Sequence, residues 1–248
     1  MYVASVNREL AVLRRVLNVS MEWKLIDRVP KVKMLPGEKP REFVLTHEQE
    51  RHNLETAPQP LRDVALLILD TGLRPSEALS LLKSDVRLNP INGAEFGLLH
   101  VREGKTKNAK RHLALTERVK SMLESRINSN ESPYVFPGKK EDGPFLISSL
   151  DHQHAKLRSK LQLPKEAVIH SLRHTMLTRL GESGVDVFTI MKIAGHSSVS
   201  VSEKYVHPSS ESMERAFKRL QEFNKKAVEE LPEIHENSQA ATISATSE

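Results

Sequence analysis

A mainly helical fold with a small antiparallel β-sheet, an α+β domain, is what this sequence predicts, and three observations carry the expectation. Apolar residues recur at a helical period over most of the 248 residues. Between Phe96 and Leu115 the period shortens to that of two strands around a basic turn. The apolar share of 38% suits a globular core, while no apolar run approaches ~20 residues and no signal-peptide pattern is present. A membrane or secreted role is therefore not expected, and a cytoplasmic one is. The absence of cysteine removes disulfides, thiolate catalysis and cysteine metal sites. A formal net charge of +5 fits a polyanionic partner, as it fits many other soluble proteins.

Residues 4–29 predict one amphipathic helix, with Val6, Leu10, Leu13 and Leu17 at helical spacing and Arg8, Arg14 and Arg15 between them. Residues 30–40 carry Pro30, Pro36, Gly37 and Pro40 among lysines, the composition of an extended linker. Thr46 and Gln49 match a capping box that opens the next helix. After Pro58 and Pro60, Leu61 to Asp70 reads as a buried helix. Gly72-Leu73-Arg74-Pro75 then makes a sharp turn into another, with Pro75 in its first turn. Phe96–Val101 and Arg111–Leu115 predict a hairpin with a tip containing Gly104, Lys105, Lys107 and Lys110. Helices are expected over Thr116–Ile127, Leu146–Leu161 and Ser210–Glu230, and a polar, disordered tail over 232–248.

The stretch from His170 to Tyr205 concentrates chemistry. His170 and Arg173 are three residues apart, so on a helix they share a face. Gly184 and Gly195 are natural helix ends, which allow the chain to return His196 and Tyr205 towards that face. Arginine and histidine together can grip an anion, and a phenol can serve as nucleophile. Arg74 adds a second guanidinium at a helix start.

Arg74 in Thr-Gly-Leu-Arg-Pro-Ser-Glu, Lys105 on a hairpin, His170-x-x-Arg173-His174, Gly-His196 and Tyr205 together resemble the tyrosine recombinase (phage integrase) family, in order and in spacing. The resemblance implies the family's catalytic-domain fold. It also implies attack of a tyrosine on a DNA phosphate, giving a 3′-phosphotyrosyl link and a free 5′-hydroxyl. By that resemblance Tyr205 is the nucleophile, His170 the general base, His196 a donor to a non-bridging oxygen and Lys105 the general acid. Arg74 and Arg173 suit the role of oxygen clamps, because guanidinium groups offer paired, permanently charged donors. Glu77, one turn after Arg74, is expected to orient a guanidinium or support the hairpin, and His174 to stand behind Arg173. Lys107, Lys110 and Arg111 are candidates for contacts to the DNA backbone, with a solvated turn as the plain reading of the lysines. His207 has a structural reading. No metal or nucleotide cofactor is expected, since cations of the chain supply the stabilisation and the phosphotyrosyl ester conserves the bond energy.

The resulting domain reading is a remnant of a helical core-binding domain (its last helix) at 1–29, a linker at 30–40, the catalytic domain at 41–231 and the tail at 232–248. Double-stranded DNA is the expected partner, with a homotetramer assembled on DNA through the C-terminal helix, in a cytoplasmic, nucleoid-associated setting. Two alternatives stand beside a working recombinase. One is strand cleavage of the type IB topoisomerase kind. The other is a catalytically idle DNA-binding fragment, to which the short N-terminal part points.

Overall fold

In this computed structural model, residues 3–37, 43–102, 110–139, 143–206 and 210–229 are described. The chain divides into two units, Met1–Val101 with His112–Met176 and Arg102–Arg111 with Leu177–Glu248.

In the first unit, α1 (Val3–Glu22) buries none of its residues, and its Leu13 and Val16 are exposed. It stops earlier than residue 29: Lys24 takes a left-handed conformation (φ 59°), which ends the helix before the expected run is complete. The following segment is tied back, because the Asn7 side chain accepts from the Leu35 N–H at 2.8 Å and donates to its carbonyl at 3.0 Å.

The Thr46 hydroxyl and Gln49 amide close the expected capping box on α2 (His47–Thr56). Helix α3 (Leu61–Thr71) is the centre of this unit, with Leu61, Val64, Leu67 and Ile68 fully buried. It packs against α2, α4 (Pro75–Leu79), α5 (Glu117–Asn128) and α6 (Ile147–Lys160). Arg118 of α5 joins these helices by donating to Asp70 through Nε (2.8 Å) and to Glu50 through Nη2 (3.0 Å). Its guanidinium holds its proton more firmly than usual, chiefly through the hydrogen bond to Asp70. At the other end of α5, Lys83 donates to the Ile127 carbonyl at 2.9 Å, a cation placed where the helix dipole is negative.

Strands β1 (Val86–Arg87), β2 (Leu98–Val101) and β3 (Arg111–Ala114) form a sheet in that order, with Val86 opposite Leu99. The expected hairpin is β2 and β3. Strand β1, at two residues, is too short to show a period in sequence. Gly97 precedes β2 at φ +91°, where a Cβ would fall 2.0 Å from the Arg87 carbonyl oxygen, so only glycine lets the strands meet there. Leu99, Val101 and Leu113 face the core. On the opposite face the His100 and His112 rings stack at 4.6 Å.

Helix α7 (His170–Glu182) begins in the first unit and ends in the second. The second unit adds α8 (Val187–Ala194), α9 (Ser200–Glu203) and α10 (Ser210–Glu229), with Leu177 and Ile190 fully buried. Helix α10 leaves Met213, Phe217, Leu220 and Phe223 exposed. Among the described residues, no helix is long and apolar enough to cross a membrane.

Candidate active site

In the first unit the local chain path aims two arginines. Gly72 ends α3 in the left-handed region (φ 66°), its N–H donating to the Ile68 carbonyl at 2.9 Å. The turn delivers Arg74 as the residue capping α4, with Pro75 inside the first turn. Glu77, buried, accepts from the Arg74 backbone N–H at 2.9 Å and from its Nη1 at 2.7 Å. One carboxylate thus fixes both the backbone and the guanidinium of Arg74, whose side chain stays 31% exposed. Arg173 is only 2% exposed and donates through Nη1 to the Gly72 carbonyl. A charge so deeply buried needs such partners. Both arginines are held on the α3–α4 turn. His170 stands exposed at the start of α7, and His174 is half-buried beside Arg173.

In the second unit the frame is α8. The Asp186 carboxylate caps it, accepting from the Phe188 and Thr189 N–H groups at 2.9 and 3.0 Å, and bonding to Thr189 keeps this acid below the usual carboxylate range. Gly195 (φ 63°) ends α8, and the His196 N–H donates back to the Met191 carbonyl at 3.0 Å. His196 Nδ1 lies 2.8 Å from the hydroxyl of Ser202, which is fully buried on α9. The Tyr205 N–H donates to the Ser202 carbonyl at 3.0 Å, so one serine holds both the imidazole and the tyrosine backbone. The His196 and Tyr205 rings lie 6.2 Å apart with planes 14° from parallel, and Lys204 Nζ sits 5.0 Å from the phenol ring centroid. Tyr205 is 7% exposed.

Arg111, a candidate for contact to the DNA backbone, lies inside the fold. It is buried, and its Nε donates to the Ile193 carbonyl at 2.7 Å in the last turn of α8. The reason is strand alternation: Arg111 and Leu113 are buried while His112 and Ala114 face outward. Lys110 is exposed. Lys105, Lys107 and His207 lie outside the described residues.

Sequence reading did not single out Ser202, Lys204 or Gly181. Ser202 had one signal, its position three residues before Tyr205, and serine at such a spacing is ordinary in any polar helix.

Residues 44–212 match the Phage integrase family. The chain belongs to that family. Its members are tyrosine recombinases, enzymes of DNA strand cleavage and rejoining, and the mainly helical fold with its small sheet agrees with them. The tyrosine recombinase XerA of Thermococcus kodakarensis is 29% identical over 221 residues, covering 85% of this chain and 74% of that protein. Transposase B of transposon Tn554 from Staphylococcus aureus is 27% identical over 203 residues, which is 76% of this chain and 31% of the transposase. Among solved structures, the Tn1549 transposon integrase in complex with transposon right end DNA superposes with a TM-score of 0.71 at 21% identity, covering 88% of this chain and 79% of that one. At that identity the likeness concerns the fold. A crystal structure of XerA recombinase aligns at a TM-score of 0.56 and 26% identity, over 81% of this chain and 72% of that chain.

Proposed function

We propose that this chain is a site-specific recombinase acting on double-stranded DNA through Tyr205, with its own side chains in place of a metal. The observation that carries the reading is the pairing of Tyr205 with His196, 6.2 Å ring to ring, through the shared Ser202.

The chemistry balances within the chain. The Tyr205 hydroxyl oxygen attacks the phosphorus as its proton passes to His170. A phosphotyrosyl bond forms on the 3′ side, and the bond to the 5′ oxygen breaks. That oxygen takes a proton from Lys105 and leaves as a hydroxyl. Rejoining is the reverse, with a 5′-hydroxyl attacking and Tyr205 departing. Negative charge grows on the non-bridging oxygens, where Arg74, Arg173 and His196 donate. Ser202 supports the His196 role. When its hydroxyl donates to Nδ1, the proton of the neutral ring stays on Nε2, the nitrogen that then donates to phosphate.

Helix α1 reads as the last helix of a core-binding domain, which accounts for its having no buried residue. The apolar stripe of α10 reads as the surface through which copies assemble on DNA as a tetramer. Catalysis in a nucleoid-associated, cytoplasmic setting completes the proposal.

Covalent trapping tests it. Nicked duplexes drawn from a pool that includes sequences flanking the gene are incubated with the protein in EDTA. A nick beside the scissile phosphate lets the short 5′-hydroxyl fragment diffuse away, so the link accumulates. The expected result is an SDS-resistant protein–DNA band that Tyr205→Phe abolishes while DNA binding persists. A band that survives in the variant excludes Tyr205 as nucleophile. A band that needs added magnesium excludes the metal-free mechanism.

A further inference from the structure

Gly181 lies in the last turn of α7, and the backbone of Tyr205 rests against it. A Cβ built on Gly181 falls 1.7 Å from the Tyr205 carbonyl oxygen and 2.7 Å from its carbonyl carbon. Both are backbone atoms, so no side-chain rotation relieves the overlap. Helix termination does not explain this glycine. Gly184 performs that task at φ +88°, with its N–H on the Gly181 carbonyl at 3.0 Å and the Val185 N–H on the Leu180 carbonyl at 3.0 Å. Glycine within a helix is less favourable than alanine. A reason outside α7 is needed, and the Tyr205 carbonyl supplies it.

We infer that Gly181 is a positioning residue for the nucleophile: the bare helix surface there is the seat that sets where the Tyr205 phenol lies. The inference rests on the assignment of Tyr205 as nucleophile. Any side chain at position 181 pushes the Tyr205 carbonyl away by more than an ångström. That carbonyl follows a turn pinned by the Tyr205 N–H on Ser202, whose hydroxyl contacts His196. Ser202 keeps the imidazole in place, so the shift falls on the phenol, while the helix bearing residue 181 is itself favoured by alanine.

The test compares two reactions, only one of which uses the Tyr205 oxygen. The first is single-turnover formation of the phosphotyrosyl link on a nicked duplex at saturating DNA. The second uses a duplex with a 3′-(p-nitrophenyl) phosphate at the same position, beside a strand ending in a 5′-hydroxyl. There the hydroxyl attacks phosphorus, p-nitrophenolate leaves, and absorbance reports the joining. Tyr205→Phe is the control: it blocks the first reaction and leaves the second.

Gly181→Ala is expected to slow the first reaction roughly ten- to a hundredfold, the cost of misplacing a reacting atom by about an ångström. DNA affinity and the joining reaction are expected to stay within about twofold of the parent, and Gly181→Val to be slower again in the first reaction. A Gly181→Ala enzyme that links to DNA at the parental rate or faster overturns the inference. So does an equal fall in both reactions, which marks general damage to the fold. A parent enzyme that never forms the link overturns the assignment of Tyr205 first, and the Gly181 role with it.

Discussion

Ser202 shows how much one hydroxyl can decide at the scale of a single residue. It is fully buried, 2.8 Å from His196 Nδ1, and its carbonyl receives the Tyr205 N–H. Alanine at this position keeps the backbone bond and removes only the support of the imidazole. Ser202→Ala is therefore expected to lower the rate of phosphotyrosyl formation about tenfold and stability by about 1 kcal/mol, with DNA affinity unchanged. Single-turnover cleavage beside a binding titration checks this, and a loss confined to affinity would place His196 outside the chemistry. Glu77 illustrates the same logic for Arg74. The sequence already paired the two by spacing, and the structure adds that the carboxylate grips the backbone N–H as well as the guanidinium. Arg111 marks the limit of reading charge from sequence. A lysine- and arginine-rich hairpin looks uniformly solvated until strand alternation turns one member inward, onto the end of α8.

At the scale of elements, helix boundaries followed local signals wherever those signals were chemical. The capping box at Thr46, the proline start of α4 and the glycine ends at Gly72 and Gly195 all appear where the sequence placed them. Helix α6 carries a feature no local signal revealed. It buries His154 with Leu150 and Leu157, and burial, with the nearby Arg158 charge, lowers this imidazole to about 4. The folded protein keeps it neutral where the unfolded chain would take a proton, so the unfolded state binds more protons between that value and the ordinary one near 6.5. Stability from this group is thus complete above the ordinary value and declines as pH falls towards about 4. Urea denaturation should show a loss of about 1–2 kcal/mol from this group between pH 7 and 5, and His154→Leu should remove that part of the slope. An unchanged slope in the variant would assign the acid sensitivity elsewhere.

At the scale of the whole molecule, the proposed assembly through α10 rests on what that helix leaves uncovered. Met213, Phe217, Leu220 and Phe223 recur at helical spacing, and Phe217 and Phe223 are 71% and 70% exposed. A stripe of that kind is favourable only when covered. The double substitution Phe217→Ser with Phe223→Ser is expected to prevent higher-order complexes on DNA carrying paired sites, while each site still takes up single copies. Sedimentation of the protein–DNA complexes would decide it. Assembly unaffected by the two serines would mean that copies meet through another surface.

What the sequence determined by itself was the local chemistry and the family: capping, turn glycines, helical and strand periods, and the order of Arg74, His170, Arg173, His196 and Tyr205. These depend on residues a few positions apart, so they are written in spacing. Tertiary structure alone decided which groups support them. Arg173 reaches Gly72 across 101 positions, and Arg111 reaches Ile193 across 82. The Tyr205 carbonyl meets the bare face of Gly181. Each of these contacts joins a side chain or a glycine to a backbone atom. Every residue offers the same carbonyl, so the partner leaves no mark in the sequence until folding selects it.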